Sequence, residues 1–173
     1  MKKTLLISAL FVTMSTAIYF EAKSQTSNSV TNLVSVRVTG SSSESIVISE
    51  SEVDVRVLNN FANTFSVQAP VIWTLEKAGY RAYFSKNGTQ HRIMYNKKGR
   101  WIQTIKSYSR ELLQTKILDA IENAFDGYEV VGVSEVHIPG YTVYFTNIQS
   151  RRRLKEVVYY NGHITVRNEY DRN

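Results

Sequence analysis

Two segments of six residues in this chain are nearly identical, and their similarity constrains the fold more than any other feature of the sequence. Residues 79–84 read GYRAYF and residues 140–145 read GYTVYF, so that four of the six positions are identical. A second pair of segments, FANTF at 61–65 and IENAF at 121–125, has nearly the same separation. Similarity at one spacing indicates a supersecondary unit that is used more than once. The sequence therefore predicts an internal repeat.

The first unit reads as one helix followed by four strands. Val57, Phe61 and Phe65 recur at steps of four, which is the spacing of one helix face. Ser49 and Glu52 have the spacing of a capping box, so we expect the helix to begin there. The four strands are predicted at residues 71–75, 80–85, 89–96 and 100–107, with an Asn-Gly hairpin turn at 87–88.

The second unit has the same order of elements. Ser109 is a candidate helix cap, and Leu113, Ile117 and Ile121 form an apolar stripe. Strands are predicted at residues 128–137, 141–147, 153–160 and 163–170, separated by turn signals such as Pro-Gly and Asn-Gly.

These units predict an α+β fold for residues 50–173. Two tandem helix-plus-four-strand repeats, residues 50–108 and 109–170, are expected to form an eight-stranded antiparallel sheet with both helices on one face. Side chains alternate along a strand. The alternation predicts one set of residues pointing toward the helices: Tyr80, Ala82, Phe84, Tyr141, Val143 and Phe145.

The N-terminal residues predict export. Two lysines precede an apolar run, and small residues at 22 and 24 suit cleavage before Gln25. We predict a signal peptide at residues 1–24; the alternative is a membrane anchor that is kept. Residues 25–49, rich in Ser, Thr, Asn and Val, are predicted to be a flexible tether. The chain has no cysteine, which excludes disulfides and the lipid-bearing cysteine of a lipoprotein. The mature protein is expected in the periplasm or outside the cell, without stable membrane insertion.

The order of these landmarks resembles a known family. The matching residues include Phe61-x3-Phe65-x3-Ala69-x-Val71-x-Trp73, Tyr80-x-Ala82-x-Phe84, Asn87-Gly88 and Trp101-Ile102. They resemble the PepSY-like, β-lactamase-inhibitor-protein-like family of exported bacterial proteins over about residues 50–170. One departure is Leu112-Leu113, where the family often has Leu-Pro. The resemblance implies a binding domain on the envelope side, with no catalytic residues to transfer. The inhibitor relationship is one of structure and does not by itself make this chain an inhibitor.

The sequence contains no catalytic or metal-binding signature. The three histidines, at 91, 137 and 163, have no close spacing, and neither a Glu-x-x-His nor a Gly-x-Ser-x-Gly motif occurs. We therefore expect no metal site, no cofactor and no catalytic residue. The basic cluster Arg151-Arg152-Arg153 is interpreted as a solvated hairpin tip and not as a nucleic-acid site, because exported proteins rarely meet nucleic acid.

Aromatic residues give the one positive indication of function. Alternation assigns Tyr83, Tyr144 and Tyr159 to the face away from the helices, with three cations as neighbours: Arg81, Arg92 and Lys155. Tyr and Arg dominate the energetics of protein interfaces. They also suit exposed antiparallel strands without any binding role.

We therefore predict a non-enzymatic, monomeric binding domain that recognises a protein or peptide in the envelope through the open face of its sheet. An inhibitor-like role is left open. The alternatives are a small envelope hydrolase acting on cell-wall material and a structural envelope protein that associates with itself.

Overall fold

The computed structural model describes residues 45–172. The helical elements are two short 3-10 turns, Glu50–Glu52 and Arg110–Leu112, and two helices, α1 (Val55–Thr64) and α2 (Thr115–Ala124). The strands are β1 (Ile46–Ile48), β2 (Ile72–Glu76), β3 (Gly79–Lys86), β4 (Thr89–Asn96), β5 (Trp101–Tyr108), β6 (Glu129–Ile138), β7 (Tyr141–Gln149), β8 (Arg153–Tyr160) and β9 (His163–Asp171).

All nine strands belong to one sheet, in the same order as in the sequence, and each neighbouring pair is antiparallel. Tight turns make this order possible. Asn87 and Gly88 have φ values of 51° and 75°, and Asn161 and Gly162 have 49° and 82°. Asn and Gly tolerate this left-handed region, which two-residue hairpin turns require.

The predicted fold class is wrong. The structure has one nine-stranded antiparallel sheet with two short helices, not two helix-plus-four-strand repeats that form an eight-stranded sheet. The additional strand, β1, pairs with the outer edge of β2. It lies inside the segment 25–49 that was predicted to be a tether. These three residues alternate only weakly in the sequence, and a short edge strand depends on its partner.

Both helices pack on the same face of the sheet, here called the helix face. Val57 and Phe61 of α1 pack with Trp73, Phe84 and other residues of β2 to β4. The Phe61 ring makes edge contacts with Trp73 and Phe84, at centroid distances of 5.2 Å and 5.9 Å. These contacts form the first of two apolar clusters.

The second cluster lies under α2. Ile117 and Ile121 pack against Val133, Ile148, Val157 and neighbouring residues of β6 to β8. The stripes that the sequence predicted on the two helices are therefore their buried faces. The helices are stabilised mainly by this packing, since helices of ten residues are marginal alone.

The helices begin later than predicted. Glu52 Oε2 accepts hydrogen bonds from the Ser49 N–H and hydroxyl, each at 2.7 Å, but this pair closes a 3-10 turn. Helix α1 instead begins after Asp54, whose carboxylate accepts from the Arg56 N–H at 2.9 Å. Ser109 likewise precedes a 3-10 turn, and α2 begins after Gln114, whose side chain makes no capping hydrogen bond.

Corresponding side chains of the two similar hexapeptides point to opposite faces of the sheet. Gly79 is part of β3, whereas Gly140 lies in the turn before β7. Ala82 and Phe84 point to the helix face as predicted. Tyr144 also points there, so Tyr141, Val143 and Phe145 point to the other face, contrary to the prediction. A change of one residue in the register exchanges the two faces of a strand.

No helix within residues 45–172 is long and apolar enough to cross a membrane. The predicted signal peptide, 1–24, and most of the predicted tether lie outside the described residues.

Candidate functional site

The sheet has a second broad surface, opposite the two helices, which we call the open face. Strand pairing fixes which side chains share it, because directly paired residues point to the same side. Six residues form one continuous row across β2 to β7, and we call it the Arg92 row: Ile72, Tyr83, Arg92, Ile105, Val136 and Val143. Arg92 is the one charged residue in a row that is otherwise aromatic or aliphatic.

Three of the six predicted binding residues lie together on the open face. Tyr83 and Arg92 are paired directly across β3 and β4, and Arg81 lies two residues before Tyr83 on β3. The structure therefore brings Arg81, Tyr83 and Arg92 into one patch.

Arg81 has a local counter-charge. Its guanidinium contacts both carboxylate oxygens of Glu76, at 2.8 Å and 3.0 Å. The two residues belong to neighbouring strands, and the Glu76 side chain is only 9% exposed. This ion pair neutralises Arg81 within the domain.

Arg92 forms no ion pair with a carboxylate of residues 45–172. One of its terminal nitrogens donates to the Ser107 hydroxyl at 3.2 Å. Its Nε is buried and has no hydrogen-bond partner in the described part of the chain. Burial, and then the positive charge of Arg81, lowers the pKa of the Arg92 guanidinium. The open face thus carries a half-buried cation that residues 45–172 do not neutralise.

The other three predicted residues, Tyr144, Tyr159 and Lys155, lie on the helix face. Tyr144 and Tyr159 are paired across β7 and β8 and are buried in the cluster under α2. Lys155 Nζ lies 5.6 Å and 5.1 Å from the ring centroids of Phe125 and Tyr128, and 3.4 Å from Glu169. Their assignment to the open face is wrong, because the alternation in the second half of the chain was counted in the wrong register.

Phe145 and Tyr141 take the place of these residues on the open face. Tyr141 is 48% exposed, and its ring lies 6.1 Å from that of Tyr160. The Arg167 guanidinium lies 5.6 Å from the centroid of Phe145 and forms an ion pair with Glu156 at 3.3 Å. The sequence contained these residues, but the one-residue error assigned them to the core.

The helix face carries a polar cluster that the sequence reasoning missed. Glu135 accepts a hydrogen bond from the Tyr108 hydroxyl at 2.6 Å, contacts His137 Nε2, and pairs with Lys106 at 3.4 Å. Burial acts to raise the pKa of Glu135, but the Tyr108 hydrogen bond and the charges of Lys106 and His137 outweigh it and lower that pKa below its ordinary value. The spacing of Glu135 and His137, two apart on a strand, was the signal that could have identified this pair.

The cluster continues to a hydroxyl. His137 Nδ1 lies 3.1 Å from Thr142 Oγ1. The Thr142 hydroxyl, the His137 imidazole and the Glu135 carboxylate therefore form a chain of contacts across β6 and β7. A hydrolase needs such a chain and also free N–H donors that bind the oxyanion. Here His137 and Thr142 form the next-to-last pair of the β6–β7 ladder, beside the turn at 139–140. The arrangement is able to move a proton.

The cavities that we describe lie elsewhere. One is lined by residues 127–129 and 149–151, and the other by residues 66–69 and 85–87. Neither contains His137 or Glu135. Residues 45–172 contain no group of three or more His, Asp or Glu side chains placed to hold a metal ion.

Comparisons with known proteins support the architecture. No protein-family model matches the chain, and no curated protein does. Solved structures do match. A BLIP-like protein from Bacteroides fragilis NCTC 9343 aligns with a TM-score of 0.56 and 13% identity, over 69% of this chain and 86% of that one. The chain has a BLIP-like fold.

Two further solved structures give the same result. A DUF2874 family protein from Bacteroides ovatus ATCC 8483 aligns with a TM-score of 0.55 and 18% identity, over 69% of this chain and 87% of that one. A protein from Bacteroides eggerthii DSM 20697, provisionally described as periplasmic, aligns with a TM-score of 0.54 and 16% identity, over 69% and 88% of the two chains. These identities show a shared fold and not a shared activity. The β-lactamase-inhibitor-like part of the sequence resemblance is confirmed at this level, and the PepSY part stays a prediction.

Proposed function

We propose that the chain is an exported, non-catalytic binding domain that recognises a protein or peptide partner through the open face of its sheet. The observation that carries the proposal is the Arg92 row, in which one cation and one Tyr lie among aliphatic side chains on a surface that neither α1 nor α2 covers. Interfaces draw most of their binding energy from such residues at the centre of an apolar patch.

The structural comparisons support this proposal indirectly. The BLIP-like neighbour carries a name that refers to an inhibitor, and a second neighbour is described as periplasmic. The periplasmic description agrees with an envelope location for this chain, and the inhibitor name agrees with a protein partner. Whether binding inhibits the partner is a separate question, answered by assaying the partner's activity.

Site-specific crosslinking tests the proposal. A photoreactive phenylalanine analogue is placed at Tyr83 on the open face and, as a matched control, at Asn123, which is exposed on α2. Each protein is irradiated in envelope extract from the source organism. We expect crosslinks from position 83 that an excess of unlabelled wild-type chain suppresses and an excess of the Tyr83→Ala chain does not. Equal products from both positions would refute the proposal.

Self-association is a distinct outcome of the same experiment. If the product at position 83 has the mass of two copies, and light scattering of the purified chain gives a dimer, the open face is an interface between copies. A monomer in light scattering excludes this outcome.

A hydrolytic function is the second candidate, and the Thr142–His137–Glu135 chain of contacts favours it. Its test is hydrolysis of an activated ester by the purified protein, with Thr142→Val as the matched variant. Turnover that Thr142→Val abolishes would support an enzyme. Turnover equal to the background rate would leave the cluster with a structural role.

Export is tested separately from binding. We expect the chain recovered from the envelope fraction to lack about its first 24 residues, the cleaved segment that the charged and apolar N-terminal pattern predicts. The measurement is the intact mass of the recovered protein. A mass that includes Met1 would support the anchored alternative.

A further inference from the structure

The Arg92 guanidinium is the group on the open face whose charge and N–H donors lack partners among residues 45–172, apart from one hydrogen bond to Ser107. Arg92 lies at the centre of the row, between Tyr83 on β3 and Ile105 on β5. Ile105 is only 6% exposed although it lies on the face opposite the helices. The side chains that surround Arg92 on this face are uncharged apart from Arg81, and they are Gln90, Met94, Tyr83, Ile105, Ser85, Gln103 and Ser107.

This environment is unfavourable for a cation. A guanidinium withdrawn from water requires a counter-charge and partners for its N–H groups. Arg92 has one hydroxyl partner, Ser107, and a buried Nε with none among residues 45–172. The nearby carboxylate of Glu76 is occupied by Arg81. A half-buried Arg without a counter-charge, at the centre of a proposed binding surface, indicates that the bound partner supplies the negative charge.

The chemistry of the surroundings specifies the occupant. Guanidinium groups bind carboxylates with two parallel hydrogen bonds from neighbouring N–H donors, which gives both a counter-charge and a defined geometry. The flanking side chains that remain partly exposed, Tyr83, Val136 and Val143, are aromatic or aliphatic and favour apolar contacts. A free phosphate or a nucleic-acid backbone would leave them uncovered and would require several cations, whereas Arg81 is already neutralised.

We propose that the partner inserts the carboxylate of an Asp or Glu, flanked by apolar residues, against Arg92. The inference rests on the proposed function and makes it more specific. Arg92 provides the charge recognition, and the rest of the row provides the apolar contact. Closure by the partner excludes water from the ion pair and strengthens it.

A randomised peptide library displayed on phage provides the probe. It is selected in parallel on the wild-type domain and on Arg92→Gln, with Arg152→Gln, an exposed arginine at the tip between β7 and β8, as the matched control. We expect wild-type selection to enrich an Asp or Glu next to apolar residues. We expect Arg152→Gln to retain this preference and Arg92→Gln to lose it. Near-ultraviolet circular dichroism identical to that of the wild type shows that each variant is folded.

A second measurement gives the size of the effect. For an enriched peptide, replacing its acidic residue by the matching amide should weaken binding to the wild type about tenfold, the loss expected for one charge-assisted hydrogen bond. The same replacement should leave binding to Arg92→Gln unchanged. Added inorganic phosphate should compete no better than chloride of equal ionic strength.

Three results would overturn the inference. They are enriched peptides without an acidic residue, an acidic preference that Arg92→Gln retains, and displacement by phosphate alone, which would make Arg92 a small-anion site. The failures are distinguishable. Peptides without acidic preference whose binding Tyr83→Ala abolishes would leave the open-face function standing. If no selected peptide depends on the open face, both proposals fail.

Discussion

Two tyrosines on the helix face should respond in opposite directions to the same Tyr→Phe change. Tyr95 is 1% exposed, and its hydroxyl is buried without a hydrogen-bond partner among residues 45–172. Burial raises the pKa of Tyr95 to about 12. The hydroxyl of Tyr108 instead donates to Glu135 Oε2 at 2.6 Å. The two substitutions remove the same atom, and only its surroundings differ.

The two environments set the expected magnitudes. An unpaired buried polar group costs about 1–3 kcal/mol, so Tyr95→Phe should raise the free energy of unfolding by about 1 kcal/mol. A hydrogen bond to a charged acceptor contributes about 1.5–3 kcal/mol. Lys106 and His137 remain in contact with Glu135 in the variant. Tyr108→Phe should therefore lower the free energy of unfolding by about 2 kcal/mol.

Urea unfolding at pH 7, followed by tryptophan fluorescence, measures both changes. With a denaturant slope of about 2 kcal/mol per molar urea, the midpoint should rise by about 0.5 M for Tyr95→Phe and fall by about 1 M for Tyr108→Phe. The slope itself should stay constant. If Tyr95→Phe lowers the midpoint as Tyr108→Phe does, burial of an unpaired hydroxyl is not the quantity that decides the sign, and the reasoning is refuted.

Two glycines, one helix cap and one carboxylate allow further tests. Gly99→Ala should cost about 3 kcal/mol and Gly162→Ala about 1 kcal/mol. Both glycines have positive φ, but a Cβ at Gly99 would lie 2.6 Å from the Arg56 Cβ, whereas a Cβ at Gly162 would meet no atom within 4 Å. Equal urea midpoints for the two variants would contradict this difference in cost. Gln114→Asp should stabilise the domain by about 1 kcal/mol, because α2 lacks a side-chain cap, and Gln114→Ala should give no gain in thermal unfolding. Burial raises the pKa of Glu135 but its hydrogen bonds and neighbouring charges lower it more, to below 4.5. Its contribution is therefore complete above pH 4.5 and lost as the pH falls through the folded-state value, so Glu135→Gln should flatten the acid side of a plot of urea midpoint against pH.

The sequence predicted the strands β2 to β9 well, because each is bounded by a strong local signal. The Asn-Gly pairs at 87–88 and 161–162 have the positive φ that such turns require. The strand β1 could not be predicted in this way. It has three residues and exists through its pairing with β2.

The face of the sheet on which the candidate residues lie was predicted correctly in the first half of the chain and wrongly in the second. Arg81, Tyr83 and Arg92 lie on the open face. Tyr144 does not, because sequence identity between the hexapeptides was taken to mean an identical register. Gly79 belongs to a strand and Gly140 to a turn, with φ values of 153° and 83°.

The polar cluster on the helix face shows a different limit. Glu135 and His137 are close in sequence, but Tyr108 and Lys106 meet them only through the pairing of β5 with β6. Residues on two strands separated by a helix have no spacing that reveals their contact. A constellation of this kind becomes visible only when the register of the sheet is known.

The strictly sequential order of the strands also bears on how the protein assembles. Within residues 45–172, every strand pairs only with the strand before it and the strand after it, so no strand waits for a partner beyond the next strand in the sequence. Local connections of this kind favour rapid folding. A chain that emerges from its N-terminal end, from the ribosome or through a narrow pore, can add strands in the order in which they appear. Truncation that removes β9 should correspondingly take away one edge strand without any change of partner in the strands that remain.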